Sequence, residues 1–110
     1  MAAMTYSSLS EFYPYYLTEH RNGACRLLHF MGTTAVLVVV IACLATQRVE
    51  WLWTALLAGY GPAWVGHFFF EKNRPATFKY PVYSFLSDWL MYRDILLGRV
   101  PLTGPLQTEA

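Results

Sequence analysis

Two apolar runs limit what this chain can fold into. Phe30 to Thr46 (FMGTTAVLVVVIACLAT) is 17 residues without an ionisable side chain, and Trp51 to Phe70 (WLWTALLAGYGPAWVGHFFF) is 20 residues whose one ionisable side chain is His67. A bilayer-spanning helix needs roughly 17–25 such residues. Only Gln47 to Glu50 (QRVE) lies between the runs, so the pattern predicts a transmembrane helical hairpin with a tight polar turn. Trp51 and Trp53 flank that turn, and Trp collects at the lipid–water boundary. Pro62, in the stretch GYGP, predicts a kink in the second span, because proline lacks an N–H and crowds the preceding turn. The composition fits this reading. The chain is 55% hydrophobic and 14% charged, where soluble domains carry about 25% charged residues, and mean hydropathy is +0.29. A net charge of +1 leaves no electrostatic footprint for nucleic acid.

The flanks are less apolar. Pro81 to Leu97 holds Asp88, Arg93 and Asp94, which makes it a poor span. Phe85, Trp89, Tyr92 and Leu96 recur there at helical spacing, predicting an amphipathic helix against the hairpin or in the interface. The stretch Ser8 to Leu28 is similar, with Ser10 as a helix cap and Phe12, Tyr13, Tyr15, Tyr16 and Leu17 on the helix. The expected fold is therefore an all-α integral membrane protein, one domain over residues 1–110. Its spans lie at about 30–46 and 51–70, with N-terminal and C-terminal amphipathic or short membrane helices, the latter at about 81–97. Arg21 and Arg26 precede the first span and Lys72, Arg74 and Lys79 follow the second, while Arg48 stands alone in the turn. The positive-inside rule then puts both ends of the hairpin in the cytoplasm. Cys25 and Cys43 are too few for a disulfide framework, and Cys43 reads as a small buried hydrophobe. The N-terminus has no basic start followed by an apolar core, so no cleavable signal peptide is expected. A hairpin with a small-residue face is open to homo-oligomerisation.

The three histidines concentrate the chemistry. The turn centres near Arg48; His29 lies nineteen residues before it and His67 nineteen after. In an antiparallel hairpin, residues equidistant from the turn share one depth, so these two imidazoles should meet. His20 lies nine residues further out, in a segment able to fold back, and Glu71 follows His67 by one helical turn. Polar groups at membrane depth are costly unless paired. Gly32 and Thr33 on the facing side would let the helices approach closely. Three imidazoles suit zinc, copper, iron or nickel, and a three-histidine set leaves coordination positions open, as catalysis requires. Arg21, Arg26 and Arg74 crowd the same edge, where they would receive a substrate carboxylate.

The stretches YLTEHRNGACRLLHFMGT (Tyr16 to Thr33) and GYGPAWVGHFFFEKNRPATFKYP (Gly59 to Pro81) resemble a family of small integral-membrane proteins whose characterised fungal member is a 2-hydroxy fatty acid dioxygenase. The short bacterial branch is the nearer likeness, which implies a bacterial inner membrane rather than the endoplasmic reticulum. The resemblance implies an Fe2+ enzyme that uses O2 to shorten a 2-hydroxy fatty acid by one carbon, with release of CO2, at the surface of the lipid bilayer. It implies metal ligation by His20, His29 and His67, with Glu71 and Asn73 as supporting catalytic residues. Bound from one side by three imidazoles, iron would keep positions for a 2-hydroxy acid and O2. Two other readings compete: a haem module ligated by His29 and His67, which would not need His20, and a non-enzymatic scaffold or transporter subunit, which needs more clean spans than the flanks supply.

Overall fold

In the computed structural model, residues 6–75 and 78–104 are described, and every regular element among them is a helix. Helix α1 is Leu9–Thr18, α2 is Gly23–Ala45, α3 is Thr54–Val65 and α4 is Pro81–Leu96. A single 3-10 turn, Val49–Trp51, precedes α3, and a π-helical turn, Gly66–Glu71, extends it.

Each boundary has a local cause. Ser8 caps α1, its hydroxyl accepting from the Glu11 N–H at 3.2 Å. The cap therefore sits two residues before Ser10, because the Ser8–Glu11 spacing matches the capping pattern of Ser followed three residues later by Glu. Helix α2 starts seven residues before the apolar run does. Asn22 caps it by accepting from the N–H groups of Ala24 at 2.8 Å and Cys25 at 3.3 Å. At its other end Gln47 takes a left-handed conformation, φ 59°. The N–H groups of Arg48 and Gln47 then return to the carbonyls of Cys43 and Leu44, at 2.9 and 3.3 Å. This double bond pattern satisfies carbonyls that a helix end would otherwise leave open. Gly98, φ 78°, ends α4 in the same way, with Arg99 and Gly98 bonding back to Asp94 and Ile95.

Helices α2 and α3 form the antiparallel hairpin, drawn close by glycine. A Cβ on Gly32 would lie 2.9 Å from the Gly59 carbonyl oxygen, and one on Gly66 would lie 3.0 Å from both Cα and Sγ of Cys25. The second apolar run is not one continuous α-helix. It divides into the 3-10 turn, α3 and the π-turn, and α3 runs through Pro62 to Val65. The α-helical ladder gives way at Gly66, four residues beyond the proline. Among the described residues one helix, Gly23–Ala45, is long and apolar enough to cross a membrane.

Helices α1 and α4 pack on each other through Phe12, Tyr16 and Met91, with Tyr13, Tyr83 and Ile95 around them. The Tyr13 hydroxyl donates to Asp94 at 2.7 Å, and the Tyr16 hydroxyl donates to Asp88. Helix α4 is tied to α2 by the Thr34–Tyr92 hydroxyl pair at 2.9 Å and by stacking of Phe30 on Tyr92. The far half of the hairpin buries little: Val38, Ile41, Leu56 and Leu57 are all more than 60% exposed. Soluble monomers rarely leave so large a contiguous apolar face uncovered.

The close approach of α2 and α3 is testable. Gly32→Ala should destabilise the detergent-solubilised protein by about 1–3 kcal/mol, as overpacking does, seen as a lower Tm. Gly61→Ala points into open space and should leave Tm nearly unchanged. Equal behaviour of the two variants would count against the glycine contact.

Candidate metal centre

The three histidines gather at one point. Ring centroids are 4.3 Å apart for His20 and His29, 4.5 Å for His20 and His67, and 4.9 Å for His29 and His67. All three are buried, His20 completely. His29 comes from the second turn of α2, His67 from the π-turn, and His20 from the short link between α1 and α2.

Each ring is held from behind by an oxygen. His20 Nδ1 lies 2.7 Å from the Tyr16 carbonyl, and His29 Nδ1 lies 3.0 Å from the Cys25 carbonyl. A carbonyl oxygen accepts and cannot donate, so both Nδ1 atoms carry the proton. His67 Nδ1 lies 2.7 Å from Asn73 Oδ1. The orientation of that amide follows from its other end, where Nδ2 donates to the Glu19 carbonyl at 3.2 Å. His67 therefore also donates from Nδ1. All three Nε2 atoms are left with lone pairs. Oxygen acceptors behind metal-binding imidazoles fix tautomer and ring orientation in this way.

The consequence shows between His20 and His29, whose Nε2 atoms stand 3.1 Å apart. Two lone pairs at that distance repel unless a cation lies between them. Two imidazole nitrogens bound to one ion at about 2.1 Å each would be roughly 3.0–3.4 Å apart for angles between 90° and tetrahedral, so the spacing fits a shared ion. The donor set His20, Cys25, His29 and His67, whose ligand atoms all lie within 4.8 Å of one another, is able to hold a metal. Cys25 Sγ contacts His29 on its Nδ1 side, at 3.7 Å, behind the ring rather than among the Nε2 atoms.

The backbone around the centre is specialised. In the π-turn the Lys72 N–H reaches back five residues to the His67 carbonyl, and Lys72 ends the turn in the left-handed region at φ 61°. The Asn73 N–H bonds the same carbonyl at 3.0 Å. Such single π-turns recur at functional sites, and this one brings Asn73 beside the ring it serves. Nothing in the sequence pattern announced the π-turn.

Glu71 accepts from the backbone N–H of Asn22, joining the end of the π-turn to the start of α2, while Asn73 is the side chain on His67. Arg26 is fully buried. It donates to the carbonyls of His20 at 2.8 Å, Arg21 at 2.9 Å and Pro101 at 2.9 Å, and also to that of Gly104. Those bonds hold the His20 link and the segment after α4 against α2. Arg21 and Arg74 are exposed.

A cavity of about 210 Å³ opens beside the imidazoles, between α2, α3 and α4. His20, His29 and His67 stand at its polar end. Val36, Leu56, Ala63 and Phe85 supply apolar wall, and Tyr16, Ser84 and Asp88 add polar groups. None of Arg21, Arg26 and Arg74 lines it.

Residues 6–100 match the model of the family described as 2-hydroxy-palmitic acid dioxygenase Mpo1-like. The chain belongs to this Mpo1-like family. No curated protein and no solved structure matches it. The family description carries a dioxygenase activity on a 2-hydroxy fatty acid, and among the described residues the buried His20, Cys25, His29 and His67 group could hold a metal.

Burial first, and the neighbouring imidazoles second, push the His20 pKa well below its ordinary value. The neutral ring is thus favoured in the fold. Stability from this residue is present above the unfolded pKa of about 6.5 and is lost as pH falls below it. Metal-free protein should show a falling Tm from pH 7.5 to pH 5.5, and His20→Gln should flatten that slope. A wild-type profile already flat over this range would contradict the buried neutral cluster.

Proposed function

We propose that the chain is a membrane-embedded Fe(II)-dependent dioxygenase that shortens 2-hydroxy fatty acids by one carbon. The observation that carries this reading is the gathering of three buried imidazoles, two of them with Nε2 atoms 3.1 Å apart, at the end of an apolar cavity. In the balanced reaction, a 2-hydroxy acid and O2 give an acid one carbon shorter, CO2 and water. The C1–C2 bond breaks, C2 passes from the alcohol to the carboxylic acid level, C1 leaves as CO2, and O2 accepts the electrons.

His20, His29 and His67 would hold the iron. Three neutral imidazoles suit several metals, and the choice of iron rests on the family. Iron(II) in that position would supply the activation of O2. The chain's own groups do the positioning. The Tyr16 and Cys25 carbonyls and the Asn73 amide keep the three rings in the Nε2-free tautomer. Asn73 and Glu71 act as positioning residues, Glu71 through Asn22. The apolar walls take part of the alkyl chain and exclude water. At about 210 Å³ the cavity is smaller than the roughly 300–1,000 Å³ of a drug-sized ligand site. The rest of a long tail would run along the exposed apolar face into lipid. In this reading the hairpin lies in the bilayer with its histidine end on the cytoplasmic side.

The ring geometry speaks against the haem reading. A haem iron with two imidazoles takes them on opposite faces of the porphyrin. Here His29 and His67 are 4.9 Å apart, and His20 touches both. A four-span transporter would need two clean spans beyond the hairpin, whereas α1 has only ten residues and α4 carries Asp88, Arg93 and Asp94.

Anaerobically purified, iron-loaded protein should consume O2 when given 2-hydroxypalmitate and release one CO2 per acid. A loaded preparation inert towards 2-hydroxy acids of every chain length would overturn the reading. Asn73→Ala should weaken metal binding by about 10- to 100-fold, the usual cost of losing a group that orients a ligand, measured by competition with a chelator. Unchanged affinity would remove Asn73 from its role.

A further inference from the structure

Two serines of α4 are buried to the same degree and treated alike by their surroundings, yet one of them faces the cavity. Ser84 is 2% exposed and Ser87 is fully buried, and neither Oγ has a hydrogen-bond partner. A buried hydroxyl left unpaired costs free energy, so each needs an explanation. Ser84 lines the cavity beside the imidazoles; Ser87 does not. Asp88 follows Ser84 by one helical turn, lines the same cavity, and accepts a bond from Tyr16 on one carboxylate oxygen. A carboxylate has acceptor capacity for more than one donor. The Tyr16 ring stacks on His20 with centroids 4.1 Å apart, so this polar pair belongs to the metal end of the cavity rather than its apolar end.

We propose that Ser84 and Asp88 form the hydroxyl-recognition site of the cavity, Asp88 accepting from the 2-hydroxyl of the bound acid and Ser84 supplying the second hydrogen bond to the same group. This rests on the reading of the cavity as a fatty acid site. It explains how an otherwise apolar cavity would tell a 2-hydroxy acid from the unsubstituted one. A site built to hydrogen-bond a ligand hydroxyl disfavours the analogue without it, because its own polar groups are then left unpaired. Asp88 acts here as a specificity residue in contact with ligand, and Tyr16 holds its carboxylate in place.

The test is binding, not turnover. Dissociation constants for 2-hydroxypalmitate and palmitate are measured on the full chain in detergent, as purified. The wild type should prefer the hydroxy acid. Ser84→Ala should cut that preference several-fold and Asp88→Asn by about ten- to a hundredfold, both with palmitate affinity little changed. Ser87→Ala is the control and should keep the wild-type preference. Ser84→Ala also loses no intramolecular partner, so its Tm should not fall, which keeps the test valid if Asp88→Asn fails to fold. A wild type that binds both acids equally overturns the proposal. So does a preference that survives in Ser84→Ala and Asp88→Asn, or one that Ser87→Ala reduces as much. In those cases the fatty acid reading of the cavity stands. Binding of neither acid would remove both.

Discussion

The hydrogen bond from each imidazole Nδ1 to an oxygen behind it is the constraint on which the rest of the structure depends. Without those three acceptors the rings would be free to choose the other tautomer, and the Nε2 atoms, 3.1 Å apart for His20 and His29, would not be fixed as lone-pair donors. Two of the acceptors are backbone carbonyls, of Tyr16 and Cys25, and the third is Asn73. The surrounding architecture can be read as what keeps those oxygens in place. Helix α1 ends where it does so that the Tyr16 carbonyl meets His20. Asn22 starts α2 three residues before Cys25. The π-turn carries Asn73 back to His67, and Arg26 pins the link that bears His20 through the carbonyls of His20 and Arg21, while two further bonds hold the segment after α4.

Burial gives the cluster its chemical character. Desolvation holds His20 neutral, and neutral imidazole is the form that ligates metal. The same apolar surroundings shape the cavity at the polar end of the hairpin. Glycine makes the geometry attainable: Gly66 lets the π-turn lie directly on Cys25, and Gly32 lets α3 lie directly on α2. The two ends of the molecule differ as a result. One end is a polar, hydrogen-bonded centre braced by α1 and α4. The other is a bare apolar hairpin with Trp51 and Trp53 stacked at its turn.

Much of this was legible in the sequence because the turn is short. With four residues between two apolar runs, the register of the hairpin leaves little freedom, and counting outward from Arg48 brings His29 and His67 together. What the sequence did not disclose depends on backbone atoms distant along the chain. Arg26, read from its charge as a carboxylate receptor, is satisfied by carbonyls of residues 20, 21, 101 and 104, which no local pattern could indicate. The second apolar run reads as one helix because hydrophobicity does not distinguish α from π hydrogen bonding, and Gly66, where the change begins, packs directly on Cys25. Asn22 was a legible signal, an Asn–Gly pair ahead of an apolar run, and it explains why α2 begins well before the residues that look like a span. Asp88 was visible as a charged residue on an amphipathic helix, but nothing in the pattern marked Ser84, and the position of the pair in the cavity follows from how α4 packs.

The central claim is that three nitrogens hold one ion. Equilibrium metal binding to the wild type and to His20→Ala, His29→Ala and His67→Ala tests it most directly. The account predicts one ion per wild-type chain and a large loss of affinity in every one of the three variants, His20→Ala included. Wild-type affinity retained by any of them would contradict it.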